Sequence, residues 1–302
     1  MANRHFGKLG EVWKHLPLCE VLARERPSLY AETHAGSAAY APVDDPERRY
    51  GVYGFRAVAD RDAVLADSRY TAHLDRLLGA GDHTVGAASG GHDGALVPGS
   101  PALAMLELGA SSRYVLCDMD PASTEDLRGW ASWHGLADRV TTVTGDGMAA
   151  VAVHVLETAT ASAVVHVDPY DPDAREVGSQ SALELTARLI KAGAGIMYWY
   201  GFDAPAQRSW ALRTLHAATG AALWCGDILV TAPDGGVRDD GDLGRSTTPG
   251  TGCGIVLANV RQQAVDRCAA LGTALARAYD GVPLPDGRPG ALDFRVTTVA
   301  AT

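Results

Sequence analysis

Four short stretches of this chain combine acids, a histidine and tight glycine turns: Thr33-His34-Ala35-Gly36, Asp118, Gly145-Asp146 and Asp168-Pro169-Tyr170-Asp171. Residues of these types can enclose a nucleoside. A glycine turn lets backbone approach a ligand closely because no Cβ intervenes, which is the role expected of Gly36. An acid at the end of a strand can accept both hydroxyls of a ribose, and Asp118 is expected to do so, although alone it also reads as a solvated strand-end acid. Asp146 either meets an adenine amino group or caps the helix behind it.

These residues work together only if a fold gathers them. Apolar Val12, Trp13, Leu16, Val21 and Leu22 recur at helical spacing and predict a helix over 12–24, with Pro17 as a kink and Pro27 as its stop. A short strand over 28–33 follows. Residues 41–99 read as an insertion: turns and charges over 41–55, two short helices over 57–79, then a Gly- and His-rich loop. Helix resumes at Ser100-Pro101, with Ser100 as N-cap and Pro101 at the first helical position. Strands at 113–117, 140–144, 163–167 and 195–200 then alternate with helices at 122–134, 151–156, 179–191 and 206–218. Strands at 222–231 and 253–259 finish the sheet in an order left open, around a Gly/Asp-rich loop at 232–252. Near-continuous apolar strands alternating with helices imply an α/β fold, doubly wound and mostly parallel, with helices on both faces. Residues 1–40 and 100–302 form that Rossmann-like domain, and 41–99 interrupt it after the first strand. In such a sheet ligands bind beyond the carboxyl ends of the strands, where all four stretches fall.

The bulk numbers narrow the partners. The chain has 302 residues, 47% hydrophobic and 21% charged, enough for one sizeable core. Its net charge is −10, with no Lys/Arg cluster beyond Arg48-Arg49, which argues against nucleic acid and for a small substrate. None of the five cysteines forms a CxxC pair, as expected of buried thiols in a reducing cytoplasm. The first residues lack an apolar targeting core, and no run is long enough to span a membrane. Asp82-His83 and His92-Asp93 show no metal-ligand spacing, so no metal is expected.

The order of several motifs resembles the ribosomal RNA adenine-N6 methyltransferases of the large subunit. The motifs are Asn3-Arg4-His5, Val12-Trp13-Lys14-His15, Glu32-Thr33-His34-Ala35-Gly36, Tyr40, Pro98-Gly99-Ser100-Pro101 and Asp168-Pro169-Tyr170. The resemblance spans roughly residues 3–172. It implies a methyltransferase-type sheet in which His15, His34, Ser100, Asp118 and Asp146 line a pocket for S-adenosylmethionine (SAM), beside the turn expected at Gly36, while Asp168 faces the reacting amine. Two departures stand out. Ala38 replaces the second glycine of the family's loop, and the catalytic motif lacks one proline. Tyr170 therefore falls one step early, and Asp171 takes the place of the aromatic that stacks on a flipped adenine.

Two enzymatic readings follow. In the first, the protein is a SAM-dependent N-methyltransferase acting on a small molecule: Asp168 orients the amine and Tyr170 packs against the substrate. In the second, the scaffold is repurposed for a non-methylating intramolecular substitution or elimination, such as aziridine-type ring closure. Asp44, Asp45 or Asp168 would then be the base, and Lys14, His15, His34 or Arg48 would hold a departing anion. A non-catalytic binding subunit is a third reading. The expected partners are a small-molecule substrate and, for a second chain, a homodimer or a small partner protein.

Overall fold

The computed structural model describes residues 5–79, 94–156, 162–169, 180–232 and 248–302. Helix α1 (Leu9–Glu25) leads into β1 (Leu29–Glu32) and β2 (Ala39–Tyr40). Four short helices follow: α2 (Pro46–Tyr50), α3 (Val52–Ala59), α4 (Ala63–Ala66) and α5 (Arg69–Leu78). Next come β3 (Val97–Pro98), α6 (Ser100–Leu108), β4 (Arg113–Asp118), α7 (Pro121–Trp133), β5 (Val140–Thr144), α8 (Gly147–Val151) and β6 (Ala163–Val167). The chain ends with α9 (Ala182–Lys191), β7 (Gly195–Phe202), α10 (Trp210–Thr219), β8 (Leu223–Thr231), β9 (Gly252–Ala258), α11 (Gln262–Ala278) and β10 (Ala291–Val299).

Eight strands form one sheet in the order β10-β8-β9-β7-β6-β1-β4-β5. The run from β5 through β7 is parallel. Strand β9 runs antiparallel between β7 and β8, which settles the order left open above. The chain winds outward from β1 through β4 to β5, then returns to place β6 on the other side of β1. The sheet is therefore doubly wound, and its topological switch lies between β1 and β6. A crevice opens there because the connections leave the two neighbouring strand ends in opposite directions.

Apolar packing explains both helical layers. Side chains alternate along each strand: Tyr30, Tyr114 and Val164 join one core with α1, α5, α6 and α11, while Ala31, Val115 and Val165 join the other with α8, α9 and α10. Every residue of β1, β6 and β9 is buried. Helix α1 is enclosed almost all round, and even Lys14, His15 and Glu20 are buried.

Several expectations need correction. Helix α1 extends past both predicted ends, with Pro17 inside it. Residues 46–50 and 52–55, expected as turns, are helical; Asp45 caps α2 and Pro46 stands at its start. Gly51 separates α2 from α3, since a Cβ there would stand 2.1 Å from the Gly7 carbonyl. Gly99, not Ser100, is the N-cap of α6, because the Ser100 hydroxyl is drawn away to Glu32. The helix expected from 206 starts at Trp210, after a separate 3-10 turn over Pro205–Gln207. Helix α11 and edge strand β10 were not anticipated. Expectations for 80–93, Tyr170, Asp171 and 233–247 lie outside the described residues.

Candidate functional site

The site is built at the carboxyl ends of β1, β4, β5 and β6. After β1 the chain turns at Gly36, whose φ of +63° suits glycine. Its N–H donates to Asp118 Oδ2 at 2.8 Å, and the Ala38 N–H donates to Asp126 Oδ2 at 2.7 Å. Asp118 Oδ1 accepts from the Asp120 N–H at 2.8 Å. The carboxylate is only half-buried and keeps lone pairs for a further donor. Met119, the next residue, is 65% exposed at this rim.

Asp146 takes the capping role: its Oδ1 accepts from the N–H groups of Met148 and Ala149 at 2.9 and 3.2 Å. Gly147 behind it is wedged into the rim, where a Cβ would lie 1.9 Å from the Thr33 carbonyl oxygen. Gly145 has φ +144°, and a Cβ there would meet nothing within 4 Å. The turn thus packs tightly beneath and opens outward.

At the switch point Asp168 follows β6, and α1 supplies its partner. Lys14 Nζ donates to Asp168 Oδ2 at 2.6 Å and lies 2.7 Å from Glu11 Oε1. Burial alone would lower the pKa of Lys14, but Asp168 and Glu11 outweigh it and raise it. Burial would likewise raise Asp168, but Lys14 and then His166 hold it below the usual carboxylate value. In Glu11 burial prevails and the pKa rises. One ammonium thus serves two carboxylates with opposite tendencies. Behind them the buried Glu32 is held by Ser100, by Tyr30 at 3.0 Å and by His166 Nδ1 at 2.9 Å.

His34 marks where the strand ends meet. Its Nδ1 lies 2.8 Å from Thr33 Oγ1. Burial lowers its pKa, against the opposing pull of four nearby carboxylates: Asp168, Asp118, Glu32 and Asp146. These acids come from four different strand ends. His15 lies deeper on α1, 1% exposed, and burial drives its pKa well below the ordinary value. Ser100 is buried against Glu32. Asp45 stands apart as the cap of α2, accepting from the Arg48 N–H at 2.9 Å and pairing with the Arg48 guanidinium. Arg48 in turn lies 4.0 Å over the Phe6 ring, which stacks on Tyr40.

Glu11, His166 and Asp126 were missed from sequence, and Glu32, the first residue of a quoted motif, was given no role. The signals existed: Glu11 stands three and four residues before Lys14 and His15, one helical turn away. His166 stands two before Asp168, on the same strand face. Among the described residues no group of three or more His, Cys, Asp or Glu is arranged to hold a metal. No described helix is long and apolar enough to cross a membrane.

No protein-family model and no curated protein matches this chain. Among solved structures, the chain is similar to protein LPL1258 from Legionella pneumophila, of the DUF519 family, at 17% identity over 97% of each chain, with a TM-score of 0.64. That likeness is one of fold. Looser overlaps, whose TM-scores are too low to support an argument, include two further proteins. Cofactor-bound Rv0187 from MTB gives 0.37 at 16% identity, covering 83% of this chain and 80% of that one. A SAM-dependent O-methyltransferase from Thermotoga maritima gives 0.36 at 11%, covering 81% and 63%.

Proposed function

We propose that this chain is a SAM-dependent N-methyltransferase acting on a small-molecule amine. The observation that carries the reading is the Asp168 carboxylate at the switch point, kept anionic by Lys14 on Oδ2. Its Oδ1 has no hydrogen bond among the described residues and is the acceptor for an amine N–H. Accepting that bond turns the nitrogen lone pair toward the methyl donor, and such positioning is most of what methyl transfer requires.

The rim suits the cofactor. Asp118 would accept the ribose hydroxyls, and exposed Met119 offers an apolar surface for the base. His34 lies among the converging acids, and the open side of Gly145 leaves room for a ligand. When bound, SAM supplies an activated methyl group. A small substrate also agrees with the charge of −10. The one basic pair, Arg48-Arg49, is neutralised by Asp45 and Asp44 and offers phosphates little.

The direct test is to incubate the protein with methyl-labelled SAM and a panel of small amines, reading label transfer by mass spectrometry. Labelled amine is expected, and Asp168→Asn should reduce it by about 100-fold, in the range of a lost charged contact made at the reacting group. Undiminished transfer by Asp168→Asn would remove the assigned role.

One observation favours the second reading. The Gly36 and Ala38 amides are already taken by Asp118 and Asp126, so the loop offers a cofactor fewer donors. In that reading Asp168 is the base for an intramolecular substitution, aziridine-type ring closure being an example, and Lys14 stands beside the departing anion. Turnover of an amine bearing an internal leaving group, without SAM, would support it.

A further inference from the structure

Methyl transfer as described uses Asp168 and Lys14, yet α1 brings two more polar side chains to the same place. Lys14 Nζ bridges Glu11 and Asp168, at 2.7 and 2.6 Å. When both carboxylates are ionised, two negative charges face one positive charge. Their side chains keep 14% and 17% exposure, so both are open to a ligand. Beside them lie buried polar atoms without hydrogen bonds. His15 has none on either ring nitrogen, and its Nε2 stands 3.6 Å from Glu11 Oε2, too far to bond. His166 Nε2, on β6, also has none. Native proteins rarely leave such atoms unmet, and these flank the two carboxylates. Burial keeps His15 neutral, so it adds no second cation.

We infer that Glu11 and Asp168 together seat a basic alkylamine that arrives as an ammonium ion, and that Glu11 accepts the proton this amine must lose before it attacks. The inference rests on the methyl-transfer reading and specifies its substrate class. An ammonium nitrogen has no lone pair. Its N–H bond breaks, the proton passes to the Glu11 carboxylate, and the electron pair stays on nitrogen. That pair forms the bond to the methyl carbon as the carbon–sulfur bond breaks, with those electrons remaining on sulfur. The product leaves as a methylated ammonium, and Glu11 returns its proton to solvent. The two carboxylates divide the work because Lys14 holds Asp168 anionic while burial makes Glu11 the readier proton acceptor. An adenine amino group is not basic enough to need such a seat.

The test compares two ligands by calorimetry on the full chain: S-adenosylhomocysteine, and sinefungin, which carries an amine-bearing carbon in place of the sulfur. The ammonium of sinefungin occupies the region of the transferred methyl and reports on the seat. In the wild type it is expected to bind about tenfold more tightly than S-adenosylhomocysteine, the effect of one charged hydrogen bond. Glu11→Gln should abolish most of that preference while leaving S-adenosylhomocysteine affinity nearly unchanged, which also reports a folded protein. Glu11→Asp should retain part of it. Equal wild-type affinities, or a preference intact in Glu11→Gln, would overturn the inference while sparing the methyl-transfer reading. Failure of both ligands to bind the wild type would overturn both. Should Glu11→Gln not fold, the wild-type comparison and Glu11→Asp decide the matter.

Discussion

The Lys14 ammonium is the residue on which the site most depends. It is nearly fully enclosed and stands between two carboxylates, so its removal leaves two half-buried like charges facing each other. Lys14→Met should lower stability by about 3–5 kcal/mol, the usual result of breaking a buried ion pair from one side, as read from urea unfolding. Glu11 has a different signature. Its folded pKa is raised above its ordinary value of 4.5, so the folded state holds that proton more tightly than the unfolded state. Its contribution to stability is full below about pH 4.5 and is lost as pH rises through the raised folded value. Thermal unfolding of wild type minus Glu11→Gln should therefore move against the wild type over that window; a flat difference would contradict the burial argument. Asp168 acts oppositely: its depressed pKa gives stability that is lost only as pH falls below the ordinary carboxylate range. Of these residues, sequence pattern singled out Lys14, His15 and Asp168, because they fall in recognisable motifs. Glu11 lies in none of those motifs, and Glu32 opens one without its role being marked there. Their importance comes from partners brought by other elements, Asp168 through Lys14 for Glu11 and Ser100 with His166 for Glu32, which spacing along the chain does not express.

At the scale of elements, the tight joint between α8 and the β1 rim positions Asp146 and His34. Alanine is a better helix former than glycine, yet Gly147→Ala would push a methyl to 1.9 Å from the Thr33 carbonyl oxygen. The clash should win, lowering stability by about 1–3 kcal/mol and weakening S-adenosylhomocysteine binding, as measured by thermal unfolding and calorimetry. A neutral or stabilised variant would show that the joint has room to relax. Helix α9 opens with a full capping box between Ser181 and Glu184. Ser181→Ala should cost about 1 kcal/mol in urea unfolding without affecting the site. Elements with continuous apolar strands or clear caps were legible in sequence, including β4 to β7 and α7. Strand β10, at the sheet edge, went unnoticed although Leu292, Phe294 and Val296 alternate with Asp293, Arg295 and Thr297, the pattern of a half-buried strand. Helix α11 was legible but unread, for Ala264, Cys268, Leu271, Leu275 and Ala278 follow helical spacing. Helix α2 was hidden by its charges, although Asp45-Pro46 carried the start signal.

At the scale of the whole molecule, the winding of the sheet makes a site out of distant residues. Because β6 returns beside β1, His34 and Asp168 meet across the switch point although far apart in sequence. Strand β4 brings Asp118 to the Gly36 amide, and α1 carries Lys14 over the end of β6. That convergence was anticipated from strand ends alone, since α/β topology sends all parallel strands out at one edge. The occupant was not legible, because Gly36 and Ala38 bond to this chain's own acids in a way no motif records. The most direct measurement is therefore calorimetric titration of S-adenosylhomocysteine into wild type and Asp118→Ala. Saturable binding of one ligand per chain is expected, weakened about tenfold or more by the loss of a charged acceptor for the ribose. Absence of binding to the wild type, or binding indifferent to Asp118→Ala, would contradict a nucleoside cofactor at this rim.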